Sequence, residues 1–410
     1  MAYEPLNENT VIDYVKKTPD IMNVAFQEGD TLQGVDLADG NLNQVFRVSA
    51  AQDPDRSVIV KQALPYVRVV GPSFPVPLER AIIEAGVLAA EAEHCPDYVP
   101  RVYHADSEMF TVVMEDLKDL AIMREGMMKQ VEYPHFAQHI GIFMARSLFY
   151  TSDLYLDHKT KKEQVAKYIN PHLCKITEDL VFTDGYSPTV TNNDSNPELE
   201  PQAAEIRGNN ALRARFYMLK EEFMTKAEAL IHGDLHTGSI MVNQEKTKVI
   251  DPEFGFYGPM AFDTGLLMAN FVLSYASQEH HAPNEATRKA YRGWLTSTMR
   301  EIWGVFETEF RRLWDEDLNP QWETAEFREL YIARLLKYTA GYGAAETMRR
   351  ILNWAHVPDL RSITDDKERA YAESMALNVG VEWVMNYEKY NTIDDLVRVL
   401  ENAKSSYPYS

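Results

Sequence analysis

The stretch from Ile231 to Tyr257 constrains this chain more than any other. It reads I-H-G-D-L-H-T-G-S-I-M-V-N, then a short polar turn, then K-V-I-D-P-E-F-G-F-Y. Asp234 sits in a glycine-containing loop between His232 and His236. Seventeen residues later Asp251 ends a short β-branched run, with Glu253 two residues beyond. The apolar pieces Ile240-Met241-Val242 and Val249-Ile250 flank Gln244-Glu245-Lys246 and predict a hairpin. A hairpin draws one carboxylate before it and two after it towards a common point. That set suits phosphoryl transfer, where one acid orients a hydroxyl nucleophile and others hold Mg²⁺ against a polyphosphate. The two histidines do not read as a zinc pair. Gly233 and Gly238 oppose a helix, and no third ligand is near. Hydrogen bonding that shapes the loop is the better reading.

A chain of 410 residues exceeds one ordinary core and predicts two lobes. Its 45% apolar and 25% charged residues are those of a globular protein. No apolar run approaches the ~20 residues of a membrane span, and the polar start lacks a secretory signal. Cys95 and Cys174 form neither a disulfide framework nor a zinc spacing, so a reducing cytoplasm is the simple reading. A net charge of −21 with no basic stripe repels nucleic acid and anionic membrane. It is compatible with plain solubility or with attraction of a cationic substrate.

Along the chain, Asn9 to Lys17 predicts a short helix capped by Thr10. Leu32 to Leu37, Gln44 to Val48 and Ser57 to Lys61 predict strands, separated by D-G-N and D-P-D turns. Gly40 permits a tight turn whose backbone approaches phosphates, beside Asn41 and Asn43. Residues 62–77, with four prolines, read as a lid. A helix opened by Pro77 follows and carries Glu79 and Glu84. Val102 to His104 and Phe110 to Met114 add two strands, the second running into Glu115, Asp116 and Leu117. Five strands and one helix then make a small lobe ending near Leu117. Helices are expected over Tyr133–Leu154, Pro201–Leu230, Ala261–Ala276, Ala286–Arg312, Ala325–Trp354, Asp365–Tyr390 and Thr392–Ala403. Asp184 to Glu200 reads as a polar, mobile insert.

Asp234 and Asp251 resemble the catalytic-loop and metal-binding aspartates of the kinase-like fold, in the form used by small-molecule kinases. There the loop is H-G-D-x-H-x-x-N, where protein kinases carry H-R-D. His232, Gly233, Asp234 and His236 match, and Ser239 replaces the metal-binding Asn. The second motif resembles the family's I-D-x-E form through Asp251 and Glu253. The resemblance is greatest to the methylthioribose kinases. It rests on G-N-L-N-Q-V-F-R-V, V-K-Q-A-L-P-Y-V-R-V-V-G, V-M-E-D-L, H-G-D-L-H-T-G-S, D-P-E-F-G-F-Y-G-P-M and the pair Arg349-Arg350.

The resemblance implies an α+β, bilobal, protein-kinase-like fold, with residues 1–117 as an ATP-binding lobe and 118–410 as a helical lobe. It implies ATP and Mg²⁺, and phosphorylation of the anomeric hydroxyl of 5-methylthioribose to the 1-phosphate in methionine salvage. Asp234 would orient the acceptor hydroxyl, and Asp251, Glu253 and Ser239 would hold the metal. Lys61 would pair the phosphates, with Glu84 preferred to Glu79 as its partner. Gly40, Asn41 and Asn43 would line the phosphate turn, and Glu115 and Leu117 the adenine hinge. Arg349, Arg350 and Phe74 would face the substrate, Phe74 standing where the family has Trp. Asp263 would brace the catalytic loop. A cytoplasmic homodimer is the family expectation. Aminoglycoside-type and choline-type kinases remain open, as does a non-catalytic ATP-binding scaffold. A protein kinase is disfavoured by the lack of H-R-D and A-P-E.

Overall fold

The computed structural model describes residues 3–38, 42–190 and 194–408. Its N-terminal part begins with helices α1 (Thr10–Lys17) and α2 (Pro19–Ala25). Strands β1 (Leu32–Asp36), β2 (Asn43–Ala50) and β3 (Asp53–Ala63) follow, then helix α3 (Arg80–His94) and strands β4 (Val102–Asp106) and β5 (Thr111–Glu115). The five strands form one antiparallel sheet in the order β1-β2-β3-β5-β4.

Strand alternation decides what each face of this sheet does. Val58 and Val60 of β3, with Phe46 and Val48 of β2, are fully buried against Val11, Val15 and Ile21 of α1 and α2. Each such side chain contributes roughly 1.5–3 kcal/mol by leaving water. The odd positions, Ile59, Lys61 and Ala63, therefore face the opposite side, where α3 packs. Lys61 is thereby aimed into the interior, and it is 6% exposed.

Beyond Glu115 the chain is largely helical. A short strand β6 (Ala121–Ile122) leads to α4 (Met123–Met128), α5 (Phe136–Tyr150), α6 (His158–Lys167), α7 (Pro171–Phe182), α8 (Glu200–Gly208) and α9 (Asn210–Thr225). Four short strands follow: β7 (Ala229–Ile231), β8 (Ile240–Val242), β9 (Thr247–Val249) and β10 (Phe256–Gly258). The chain ends with α10 (Met260–His281), α11 (Glu285–Asp317), α12 (Ala325–Leu352), α13 (Pro358–Arg361), α14 (Asp366–Asn386) and α15 (Ile393–Glu401). Every residue of α10 from Met260 to Gln278 is buried, as befits a helix enclosed by others. It packs on α12 closely enough that a Cβ on Gly265 would lie 2.7 Å from the Tyr342 Cβ. None of the helices among the described residues is long and apolar enough to cross a membrane.

The fold class read from sequence holds, with local corrections. The first cap is Asn7, whose Oδ1 accepts the N–H groups of Asn9 and Thr10 at 2.9 and 3.0 Å. Helix α2 was not anticipated. Asp53-Pro54-Asp55 belongs to β3 rather than to a turn, because β5 pairs only from Val58 onward and leaves an edge that tolerates proline. Pro77 precedes α3 instead of opening it: the helix begins at Arg80 after Glu79, and the Pro77 carbonyl accepts from Arg80 Nη1 at 2.7 Å. Pro201–Leu230 is not one helix: Gly208 ends α8, and Asn209 starts α9 by accepting from Leu212 N–H at 3.0 Å. In the polar insert, Asp184–Tyr186 and Pro197–Leu199 form single 3₁₀ turns.

The link between sheet and helices is pinned by Asp116. Its buried carboxylate accepts from Arg47 Nε at 2.7 Å and Nη2 at 3.0 Å, and from Ser57 Oγ at 2.7 Å. Asp116→Ala should lower stability by about 1–3 kcal/mol, from lost charge-assisted hydrogen bonds. It should also raise the KM for ATP more than it lowers kcat. Thermal melts and steady-state kinetics read both; an unchanged melt and KM would exclude the pinning role.

Candidate active site

Strand β7 pairs with β10 through Ile231 and Phe256 and delivers the chain into the 232–239 loop. Asp263, in the first turn of α10, accepts the His232 N–H at 2.7 Å and the Gly233 N–H at 3.0 Å. Burial raises the Asp263 pKa, opposed by the His232 imidazole and these two donors. Gly233 has φ +80°, and a Cβ there would lie 2.4 Å from the Phe254 carbonyl oxygen. Only glycine satisfies both constraints.

The two histidines have assignable tautomers. His232 Nε2 lies 2.9 Å from the Ile250 carbonyl, which only accepts, so Nε2 carries the proton. Its Nδ1 accepts the Asp234 N–H at 3.2 Å. His236 Nδ1 accepts the Gly238 N–H at 3.0 Å and lies 3.2 Å from Ser239 Oγ. Its Nε2–H therefore faces Asp234 Oδ2, at 3.4 Å. Burial, with Arg124 and Arg350 nearby, lowers the His236 pKa, opposed by Asp234. Burial alone would raise the Asp234 pKa. The His236 N–H and the guanidinium groups of Arg350 and Arg349 outweigh it and hold this carboxyl well below the usual range.

The hairpin closes in the register Ile240↔Val249, and the Ile250 N–H donates to the Ser239 carbonyl at 2.9 Å. Asp251 follows in the left-handed region, at φ 66° and ψ 44°. A non-glycine residue there costs of order 1–3 kcal/mol, a strain typical of functional sites. Its Oδ1 accepts from Lys61 Nζ at 2.6 Å, yet the side chain stays 44% exposed. Lys61 Nζ also donates to Glu84 Oε1 at 2.8 Å, so Glu84 rather than Glu79 is its partner. Burial would lower the Lys61 pKa, but Asp251, Glu84 and Glu253 together raise it. Burial pushes Glu84 up to about 7, although Lys61 pulls the other way.

Glu253 lies beside this trio but is not open on both oxygens. Its Oε2 accepts from Arg80 Nε at 3.0 Å and from Asn43 Nδ2 at 2.9 Å. Arg80 is 1% exposed and also donates to Asn43 Oδ1 at 2.7 Å and to the Leu64 carbonyl at 2.9 Å. Asn43 thus sits under Glu253, and Ser239 directs its hydroxyl to His236. Among the described residues no group of three or more His, Cys, Asp and Glu could hold a metal by itself. The exposed Asp251 carboxylate with Glu253 alongside fits Mg²⁺, which keeps waters and takes one or two carboxylates plus substrate phosphates.

Gly40 and Asn41 lie outside the described residues. At the hinge, the Glu115 N–H donates to the Arg101 carbonyl at 2.9 Å, and its Oε2 accepts the Arg101 N–H at 3.1 Å. The Leu117 carbonyl accepts the Leu120 N–H at 2.9 Å. Its own N–H has no acceptor among the described residues and is available to a base edge.

Arg349 and Arg350 end α12, held by a residue the sequence reading missed. Glu346 is fully buried. It accepts from Arg349 Nε and from Arg350 Nε, each at 2.6 Å. Its offsets of three and four residues were the available signal. Burial would raise the Glu346 pKa, but the two arginines lower it. Arg350 Nη2 reaches to 3.6 Å from Asp234 Oδ1. Arg124 was also missed: its N–H donates to the Thr237 carbonyl at 3.1 Å, and its Nη2 to Asn270 Oδ1 at 2.6 Å. Its Nε lies 3.0 Å from Asp359 Oδ2. Lid residue Phe74 meets Trp354 edge to face, with ring centroids 6.0 Å apart.

The geometry gives two expectations. Gly233→Ala should abolish turnover and cost roughly 1–3 kcal/mol, from positive φ and the clash with Phe254; activity and melting temperature check it. Because the Asp234 pKa is depressed, its carboxylate persists as pH falls through the ordinary carboxylate value of about 3.9. An acid limb of kcat/KM set by Asp234 therefore lies below that pH. Arg350→Gln removes one of the charges holding it down and should move that limb upward. A pH–rate profile with the same acid limb in both proteins would show that Arg350 does not tune Asp234.

Comparison with known proteins gives the family. Residues 34–302, well over half of the chain, match the model of the APH phosphotransferase enzyme family. Methylthioribose kinase 1 of Oryza sativa subsp. japonica is 38% identical, covering 97% of this chain and 95% of its own. The methylthioribose kinase of Geobacillus sp. (strain WCH70) is 39% identical, covering 96% and 95%. Among solved structures, the choline kinase from Cryptosporidium parvum Iowa II aligns over 96% of this chain and 98% of its own, at 12% identity and a TM-score of 0.48. The chain belongs to the phosphotransferase enzyme family and, within it, to the methylthioribose kinases.

Proposed function

We propose that this protein transfers the terminal phosphoryl group of ATP to the anomeric hydroxyl of 5-methylthioribose, a step of methionine salvage. The products are 5-methylthioribose 1-phosphate and ADP. The observation that carries this reading is the near-full-length likeness to methylthioribose kinases, at 37–39% identity. The lobes are residues 1–117, which bind the nucleotide, and 118–410, which carry the acceptor. A cytoplasmic homodimer belongs to the same reading, on the family resemblance alone.

In this mechanism the ionised Asp234 accepts the hydrogen bond of the acceptor hydroxyl and fixes its direction. The His236 N–H and Arg350 stop the carboxylate from turning away. A carboxyl of such low pKa is a weak base, so orientation outweighs proton removal, as a loose transition state permits. The hydroxyl O–H bond breaks, its oxygen joins phosphorus, and the bond from phosphorus to the ADP oxygen breaks. The proton leaves through Asp234 to the product phosphate or solvent. Lys61, held by Glu84, pairs the phosphates that stay with ADP. Arg349 and Arg350 add fixed positive charge facing the transferring group. Asp251 and Glu253 would hold Mg²⁺, which would supply charge neutralisation at the phosphate oxygens, and Arg80 and Asn43 keep Glu253 in place. Ser239 orders the loop through His236. Leu117 N–H and the Glu115 backbone receive the adenine edge.

The test is ATP consumption with Mg²⁺ against methylthioribose, ribose, choline, homoserine and kanamycin, with Asp234→Asn alongside. Turnover with methylthioribose that falls at least a thousandfold in the variant is expected, because the hydroxyl loses its orienting charge. Turnover only with another acceptor would overturn the substrate. ATP binding without any turnover would favour the scaffold.

A further inference from the structure

Arg350 lies in the last turn of α12, where the carbonyls of a helix run out of partners. A continuing helix would give its carbonyl the Trp354 N–H. That N–H turns to Asn353 Oδ1 instead, at 2.6 Å. The Arg350 carbonyl is taken by His356 Nδ1, at 3.0 Å. A carbonyl only accepts, so Nδ1 carries the proton and donates it. His356 is thus a side-chain cap on the end of α12. The same segment holds the other end of Arg350, whose Nη1 donates to the Ala355 carbonyl at 3.2 Å. Glu346 Oε1 takes Nε at 2.6 Å, and Nη2 is left towards Asp234 Oδ1, at 3.6 Å.

His356 is held from outside by the polar insert. Its Nε2 lies 3.0 Å from Asp194 Oδ2, which also accepts from Arg361 Nη2 at 2.7 Å. Arg361 Nη2 lies against His356 Nε2 as well. The ring therefore keeps a partner there in either protonation state: neutral, it accepts from Arg361; charged, it donates to Asp194. Asp194 belongs to an anchored stretch. Asn196 is 3% exposed, and its amide donates to the Asp366 carbonyl at 2.8 Å and to Glu373 Oε2 at 3.1 Å. Contacts thus run from α14 through this end of the insert to His356, and from His356 into the main chain of Arg350.

We infer that His356 is a positioning residue for Arg350, and that the polar insert steadies it through Asp194, so that the insert acts on phosphoryl transfer by way of the end of α12. This deepens the proposed function and rests on the role given there to Arg350. The physical reason is leverage. A guanidinium on a long side chain goes where its backbone and its hydrogen bonds direct it, and a displacement of about 1 Å at a reacting centre costs on the order of a hundredfold in rate. Without His356 the Arg350 carbonyl loses its partner, and the turn that brings Ala355 under Nη1 is freed. The insert then has a structural use that its polar composition hides.

The experiment measures kcat and KM for ATP and methylthioribose in the wild type, His356→Ala, His356→Asn, Arg350→Gln and the double variant of Arg350→Gln with His356→Ala, with melting temperatures alongside. His356→Ala should lower kcat about 10- to 100-fold and leave KM for ATP within about twofold, the pattern of a contact felt in the transition state. His356→Asn keeps an N–H close to the position of Nδ1 and should recover most of the loss. In the Arg350→Gln background the same His356 change should cost less than about threefold, because the group it positions is gone. Asp194→Ala alters an exposed residue and tests the insert even if the His356 variants fail to fold. It should lower kcat about two- to fivefold, the range of an exposed ion pair, and add nothing to His356→Ala. Equal factors of loss with and without Arg350, an unchanged kcat in His356→Ala, or an unchanged kcat in Asp194→Ala when His356 variants do not fold, would overturn the inference while leaving the kinase reading intact. No wild-type turnover of methylthioribose would instead overturn the proposed function, and this inference with it.

Discussion

One buried carboxylate accepting two consecutive backbone N–H groups is the contact on which this site depends. Asp263 takes the amides of His232 and Gly233, so the 232–239 loop is tied to α10, which is buried from Met260 to Gln278. The loop cannot relax without stranding two buried donors, each costing about 1–3 kcal/mol. Gly233 supplies the positive φ this path requires, and His232 closes it by bridging Asp234 to Ile250. Backbone hydrogen bonds thus fix where the Asp234 side chain starts, and His236 and Arg350 face its carboxylate.

Around this brace, charge alternates in sign over short distances. Glu346 holds Arg349 and Arg350, and Arg350 faces Asp234, which faces the His236 N–H. Arg124 lies beneath the same loop with Asp359. Across the site, Lys61 joins Glu84 to Asp251, and Arg80 joins Glu253 to Asn43. Buried pairs of this kind are weak sources of stability, because desolvation offsets their attraction. Their effect is positional. They hold cations and anions in fixed alternation, as the proposed meeting of a polyphosphate and a hydroxyl requires, and the strained Asp251 backbone lies within the same cluster. The net charge of −21 says nothing about this, since cations are concentrated where the chemistry needs them.

Much of this was legible in the residues. The hairpin between the two aspartates followed from short β-branched runs around a polar turn, and its register is local. The Lys61 strand followed from its β-branched run between turns, and the inward face of α3 picked Glu84 over Glu79. Asp263 stood out as an acid inside an apolar stretch. Glu346 was within reach, at helical spacing from two arginines, and went unread. Arg80, Asp116 and Arg124 were not legible. Each is an ordinary charged residue in sequence, and its partner lies far along the chain, as Arg80 does from Glu253 and Arg124 from Asn270.

What the sequence determined by itself is what depends on short spacing: the strands, the capped helices, the hairpin, the glycine that must take positive φ, and the motifs that mark the family. What only the tertiary structure decided is which of those groups are free. Glu253 and Asn43 stand in motif positions, yet one is clamped by Arg80 and the other supports it. Ser239 stands where a metal ligand is usual, and its hydroxyl lies 3.2 Å from His236 Nδ1. Trp354 follows the end of a helix, and only the fold brings it against Phe74, far away along the chain. Spacing along the chain cannot encode such pairings. They follow from which faces the core leaves nowhere else to go.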